Sequence, residues 1–405
     1  MINLELSKAH AEIHSGLMQV SEHMIRPYSR KYDREEHSYP KEMEEVAKLL
    51  GDARGGGGRG KKKPKNNDTE QAAAIINGGN LGAVTGLEAL CWGDVGLFLG
   101  MPGSGLGNAA INAVGTPEQI EKYGKSYAAM CITEPGTGSD SANITTTAVA
   151  DGDDWVLNGE KIYVTDGDRS DTLVVWATLD KSLGKAAIKS FIVEKGTPGC
   201  EVTRLEHKMG IRASDTAAIS FNDCRIPKDN ILGSAEVASD AEGRKKAFGG
   251  VMQTFDNTRP PVAAMAIGVA RAALDLARDL LAAEGVTLAF DRKPANLSAV
   301  EAELCAMEAD WLAAKLLVQK AAWMADNRQP NSMEASMCKA KAGRMGNYVT
   351  LRCVELCQGL GYSEDNLLEK FARDSKILDI FEGTQQIQQL IVARRLLGKS
   401  SSELK

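Results

Sequence analysis

Residues 145–167 read TTTAVADGDDWVLNGEKIYVTDG, and their alternation decides the architecture of the chain. Thr, Val, Trp, Ile and Tyr recur near a period of two, broken by the Asp-Gly pairs at 151–152 and 166–167, as strands joined by tight turns require. Similar runs follow at DTLVVWATLD (171–180), IKSFIVEKGTPG (188–199) and TAAISFNDCRIP (216–227). Together they predict five to seven strands of an antiparallel barrel or sandwich between about Ala128 and Gly233.

On both sides of this block the apolar spacing becomes helical. Upstream, LSKAHAEIHSGLMQVSEHMIRPY (6–28) and TEQAAAIINGGNLGAVTGLEAL (69–90) place apolar residues three and four apart. Downstream, 260–283, 297–327 and 332–361 are each long enough for one helix of a four-helix bundle, closed by a last helix after Thr384. The expected fold is α+β and mostly α. It comprises an N-terminal all-α domain (1–127), a β domain (128–233) and a C-terminal helical bundle (234–405). One segment, Gly51 to Asp68, joins a glycine run to a basic cluster and reads as a surface insertion, since charge runs are usually solvated.

Composition narrows the function. With 405 residues, 43% of them hydrophobic, the chain buries a large core; its formal charge of −6 argues against nucleic acid as a partner. Eight scattered cysteines without a C-x-x-C pair suggest a reducing compartment. Four of the five histidines precede residue 38 and His207 stands apart, so no metal site is expected. The N-terminus has neither an apolar signal core nor a transit-like character, which points to a cytoplasmic location. The longest apolar run, Pro261 to Ala270, stops at Arg271 and is too short to span a bilayer.

Three stretches offer chemistry. CITEPGTGSD (131–140) is a turn rich in backbone N–H and hydroxyl donors, suited to an anion or a planar heterocycle. GEKIYVTDG (159–167) sets Tyr163 beside Thr165, an aromatic next to a hydroxyl, although tyrosine in a strand is more often core. In KILDIFEGTQQIQQLIVARRLLG (376–398) the carboxylate Glu382 sits between Phe381 and Gly383. Gly383 breaking one helix and Thr384 capping the next would explain that turn locally. The other explanation is that the turn holds Glu382 in a cavity to take a proton.

These stretches, with KMGIRASDTAAISFNDCRIPKDNILG (208–233), FDNTRP (255–260) and LEKFARDSKI (368–377) in the same order, resemble the acyl-CoA dehydrogenase family over nearly the whole chain. The resemblance implies FAD as cofactor, an acyl-CoA substrate and electron-transfer flavoprotein as partner, in fatty acid β-oxidation. It implies that Glu382 abstracts the α-proton while the β-hydride passes to FAD, giving a trans-2-enoyl-CoA. A carboxylate can do this only if desolvation raises its basicity and donors stabilise the enolate at the thioester oxygen. By the same matches Ile132, Thr133, Gly138, Ser139, Tyr163, Thr165, Gly359, Thr384 and Gln386 would contact FAD. Ser139, Phe255, Asp256, Arg259 and Gly383 would face the substrate. Thr258 occupies the position where some members carry their base on a different helix. The family more often has Trp at Tyr163.

Two departures stand out. Where the family places an Arg and a Gln against the neighbouring subunit's FAD, AAEGVTLAFDRKP (282–294) has Glu284 and ELCQGLGY (355–362) has Glu355, each adding negative charge near a diphosphate. Either a paralogue completes the FAD site in an α2β2 heterotetramer, or Arg292 or Lys293 supplies the cation in a homotetramer. A flavin oxidase or monooxygenase of the same fold, and a non-catalytic assembly subunit, are the competing functions.

Overall fold

The computed structural model describes residues 6–51, 78–103, 105–237, 241–286, 293–400 and 403, with the backbone alone of 241–257. Residues 52–68 of the glycine and lysine insertion, Arg292, and the side chains of Phe255 and Asp256 fall outside the described residues.

The N-terminal helices are α1 (Lys8–Val20), α2 (Ser29–Arg34), α3 (Glu42–Leu50), α4 (Gly79–Gly93), α5 (Val95–Leu99), α6 (Leu106–Val114) and α7 (Pro117–Tyr123). Local chemistry sets their starts. At α7, Thr116 accepts from the Gln119 N–H, Gln119 returns a bond to the Thr116 N–H, and Pro117 occupies the first helical position, where its missing N–H costs nothing.

Seven strands follow: β1 (Ala128–Cys131), β2 (Thr147–Asp151), β3 (Asp154–Thr165), β4 (Thr172–Thr178), β5 (Ile188–Glu194), β6 (Cys200–Leu205) and β7 (Thr216–Pro227). They form one curled sheet in the order β1-β4-β2-β3-β7-β6, with β5 also on β4. The sheet is mixed, which corrects the antiparallel expectation: β1 and β2 pair with β4 in parallel. The short β1 enters from α7 and runs alongside β4 only from Ala128 to Cys131, leaving the far end of β4 to Thr147. Every residue of β4 is buried. Leu173, Val175 and Ala177 pack with Trp155 and Phe191 on one face, while Val174 and Trp176 pack with Ile111 of α6 on the other. Covered on both faces, β4 reads as a continuous apolar run.

The bundle comprises α8 (Ala241–Ala283), α9 (Ala299–Asp326), α10 (Ser332–Leu356), the short α11 (Gln358–Tyr362), α12 (Leu368–Ile377) and α13 (Gln385–Leu397). Helix α8 does not begin at residue 260, as the sequence pattern suggests, but at Ala241. It runs on through Pro260 and Pro261, and the backbone bonds these imino residues forgo are tolerated where Arg259 and Pro260 are buried against neighbouring helices. Nor does its apolar character end at Arg271, whose charge is met by Asp275 and Glu308 at 2.8 Å each. By length and composition Thr258–Ala283 could cross a membrane, but 78% of its apolar window is buried within the protein.

Two close approaches position the later site. A Cβ on Gly210 would lie 2.4 Å from the Arg373 backbone, so the loop after β6 seats directly on α12. A Cβ on Gly343 would lie 2.9 Å from the Leu378 carbonyl, so α10 presses against the chain just before Glu382.

Candidate active site

Helix α12 unwinds through Ile380 and Phe381, both of whose N–H groups donate to Ile377 O. Glu382 and Gly383 then take left-handed backbone, φ 54° and 93°, and the Thr384 hydroxyl caps α13 by accepting from Ile387 N. The local reading of the turn holds: Gly383 and Thr384 end one helix and start the next, and the same turn brings the Glu382 carboxylate to Thr258 of α8. Left-handed backbone at a non-glycine residue costs on the order of 1 to 3 kcal/mol, which surrounding contacts must offset.

Those contacts come from three helices. Thr258 on α8 donates its hydroxyl to Glu382 Oε2 at 2.9 Å. From α10, the fully buried Lys339 donates to Gly383 O at 2.7 Å, and Gln388 of α13 donates to the carbonyls of Glu382 and Gly383 at 3.1 Å each. Burial pushes the Glu382 carboxyl above its ordinary range, opposed by the Thr258 bond and the charges of Lys339 and Arg259. Such a group is a stronger proton acceptor than an exposed glutamate. Arg259 is buried and its charge acts on both Glu382 and Lys339. Lys339 and Gln388 carried no signal in the sequence reading, except that Lys339 interrupts a helix face otherwise made of Ala335, Cys338, Ala342 and Gly343.

A second group gathers at the sheet. Glu134, inside the 131–140 turn, is buried and accepts from the N–H and hydroxyl of both Thr145 and Thr146. It also pairs with Lys161 at 2.8 Å, and Lys161 reaches Ile132 O at 3.1 Å. Burial raises the Glu134 carboxyl, but the Lys161 ammonium and the threonine donors outweigh it and bring it to about 2. Ile162 N donates to Thr133 O at 2.9 Å, tying the turn to β3. Held in this way, Ile132 and Thr133 are half-buried, and Gly138 and Ser139 are exposed.

Strand β3 departs from its register with β7 between Lys161 and Val164, and Tyr163 sits in that irregularity at φ 57°. A bulge re-aims the side chain it carries. Tyr163 is 62% exposed, so it is not the core residue that tyrosine in a strand usually is. Thr165 is half-buried two residues on. Thr137, not singled out from sequence, has a buried hydroxyl without a hydrogen-bond partner among the described residues.

Elsewhere the placement differs. Gly359 lies exposed on α11 and Gln386 exposed on α13. Glu355 is ion-paired with Arg352 of its own helix, an arginine that also pairs with Glu303 of α9. Glu284 is exposed just past the end of α8, and Lys293 is exposed ahead of α9. His207 is not isolated in space: its Nδ1 lies 3.0 Å from Glu36, and His37 adjoins both. Separated by some 170 positions, these residues gave no sequence signal. The Glu36 carboxylate already takes the Lys208 N–H at 2.7 Å and Arg212 at 3.2 Å. The cysteines are free, and Cys91, Cys131, Cys224, Cys338, Cys353 and Cys357 are buried.

Two family descriptions match the part of the chain that carries these groups. Residues 129–224 fit the acyl-CoA dehydrogenase middle domain, and 248–397 fit the acyl-CoA dehydrogenase C-terminal domain. The mitochondrial short-chain specific acyl-CoA dehydrogenase of Bos taurus is 38% identical over 70% of this chain and 67% of its own. The Caffeyl-CoA reductase-Etf complex subunit CarC of Acetobacterium woodii is 36% identical over 76% of this chain and 79% of its own. The chain belongs to the acyl-CoA dehydrogenase family. The butyryl-CoA dehydrogenase structure from Megasphaera elsdenii superposes with a TM-score of 0.82 at 28% identity, covering 98% of this chain and all of that one.

As an acyl-CoA dehydrogenase family member the protein is a flavoprotein oxidoreductase acting on CH–CH bonds, with FAD as cofactor. The sheet edge fits that group. The unpartnered Thr137 hydroxyl, the open space around Gly136 and the exposed ring of Tyr163 offer a donor, room and a stacking face to a planar heterocycle.

Proposed function

We propose that the protein oxidises an acyl-CoA thioester to the trans-2-enoyl-CoA, with Glu382 as the base. One observation carries this reading: the fold holds Glu382 on a left-handed turn, desolvated, with the Thr258 hydroxyl on its Oε2. Glu382 takes the α-hydrogen as a proton; bound FAD supplies the acceptor for the hydride leaving the β-carbon, and the C–H electron pair at the α-carbon becomes the new double bond. Thr258 orients the carboxylate, and Arg259 and Lys339 keep its charged form accessible. Ile132, Thr133, Gly138, Ser139, Tyr163, Thr165, Gly359, Thr384 and Gln386 would hold the flavin, and Ser139, Phe255, Asp256, Arg259 and Gly383 the acyl-CoA.

Short-chain acyl-CoAs are the substrates to try first, given the short-chain enzyme among the relatives, and electron-transfer flavoprotein is the proposed electron acceptor, given the Etf complex subunit. That reductase favours a second reading, in which the same site runs backwards and a protonated Glu382 delivers the α-hydrogen. A carboxyl raised by burial suits either direction.

For the assembly we propose a homotetramer with its own FAD, rather than a heteromer relying on a paralogue. The chain expressed alone and assayed for bound flavin decides this point: a yellow, fully loaded homotetramer is expected, and a colourless chain that gains FAD only with a partner overturns it. Anaerobic dye reduction across an acyl-CoA series then tests the activity. Peroxide release in air would instead mark an oxidase.

A further inference from the structure

Lys339 is an unusual residue to find where it is. It lies in the middle of α10, on the face that also carries Ala335, Ala342, Gly343 and Gly346, and it is fully buried. Taking an ammonium out of water is costly, so a buried lysine is retained only where something in the fold compensates for it. Its Nζ donates to Gly383 O at 2.7 Å, the carbonyl immediately after the base.

A hydrogen bond alone does not account for a charged donor there. The neutral Gln388 amide already donates to that same carbonyl and to Glu382 O, each at 3.1 Å, and Gln388 is fully buried too. What Lys339 adds is charge. The groups whose charges reach it are Arg259 on α8, and Asp379 and Glu382 on the segment between α12 and α13. Asp379 has a second cation, Arg344, at 3.9 Å. Glu382, opposite, has Thr258 as its neutral donor and Lys339 and Arg259 as its cations.

We infer that Lys339 is a positioning residue for the dehydrogenation: its ammonium pins the Gly383 carbonyl and sets a positive charge behind the Glu382 carboxylate. The inference rests on Glu382 being the base. The pin holds a backbone that would otherwise relax out of its left-handed conformation. The charge favours the ionised, proton-accepting form of Glu382 over the protonated one. Burial brings the Lys339 ammonium down to about 8, against the pull of Asp379 and Glu382, so this support weakens in mildly alkaline solution.

The test uses the flavin-loaded enzyme and butyryl-CoA as probe, following anaerobic bleaching of the flavin in a single turnover across pH. K339Q keeps a donor without charge, and K339R keeps both. With flavin content and Tm retained, K339Q moves the acid limb of the bleaching rate upward by about one pH unit, whereas K339R leaves it near the native position. An unmoved limb in K339Q, or an equal movement in K339R, overturns the inference.

A second measurement leaves residue 339 intact. With lysines labelled at 13Cε and the Lys339 signal assigned by its loss in K339Q, Lys339 is expected to titrate near 8 in the native protein, and E382Q to lower that titration because a negative charge is lost. If E382Q leaves it in place, the coupling does not exist, whatever K339Q does. Bleaching by E382Q at the native rate would remove Glu382 as base, a separate outcome that the lysine titration does not decide.

Discussion

The Thr258 hydroxyl of α8 donates to Glu382 Oε2 at 2.9 Å, so the proposed base and the position the resemblance offers as its alternative touch one another. Here one holds the carboxylate and the other a neutral donor. The hydroxyl favours the ionised form of Glu382, as hydrogen bonds to a charged acceptor do. Thr258→Val therefore raises the Glu382 carboxyl further. A bond to an ionised group contributes about 1.5 kcal/mol, which corresponds to an upward movement of the acid limb of kcat by about one pH unit. A pH–rate profile at saturating acyl-CoA checks it, and a flat difference between native and variant contradicts it.

Glu382→Gln keeps the shape of the side chain and loses the proton acceptor. Turnover is expected to fall by about 10² to 10⁴-fold with flavin binding intact, as measured by anaerobic flavin reduction. Stability should move the other way. A carboxyl raised on folding destabilises the native state as pH rises from 4.5 toward its folded value, and the cost persists above it. E382Q is thus more thermostable than the native protein at neutral pH, with the difference vanishing below pH 4.5.

Glu134 has the opposite sign. Its carboxyl drops from 4.5 to about 2 on folding, so its contribution is fully present above 4.5 and is lost as pH falls through about 2. Removing its cation with Lys161→Met strands a buried carboxylate and should destabilise the protein by about 3 to 5 kcal/mol. The 131–140 turn loosens with it, so FAD retention on gel filtration falls in the same variant. Urea titrations at neutral pH measure the first effect and the flavin absorbance the second.

Lys370 lies between Asp94 and Asp374, at 2.6 and 2.5 Å, and all three are buried. Asp374 also accepts the Ile211 N–H at 2.5 Å, and Asp94 accepts the Ser29 hydroxyl and caps α5. Lys370→Met leaves two carboxylates together without a cation. A loss of about 3 to 5 kcal/mol is expected by chemical denaturation, larger than for any exposed ion pair such as Arg34 with Glu364.

The strands and long helices were legible because each is written in a period that its neighbours enforce: two in β3 and β7, near 3.6 in α9 and α10. The parallel pairing of β1 was not, since four residues carry no direction and the pairing depends on where α7 delivers the chain. The start of α8 was hidden by Pro260 and Pro261, which read as a boundary and are instead absorbed by packing. Within the site, Glu382, Gly383 and Thr384 could be found because a glycine and a cap flank the acid. Lys339, Gln388 and Thr137 could not, because their roles arise from pairings across the fold. Tyr163 was half legible: its type suggested stacking, but only the break in register shows that it points outward.

The seating of Gly210 on Arg373, with Ile211 bonded to Asp374, fastens the sheet to α12 eight residues ahead of Glu382. The lobe that would cradle the coloured prosthetic group and the arm that bears the acid are thereby mounted on one bracket. An inherited or engineered lesion in that bracket would bleach the enzyme and silence it together, even though it touches neither end.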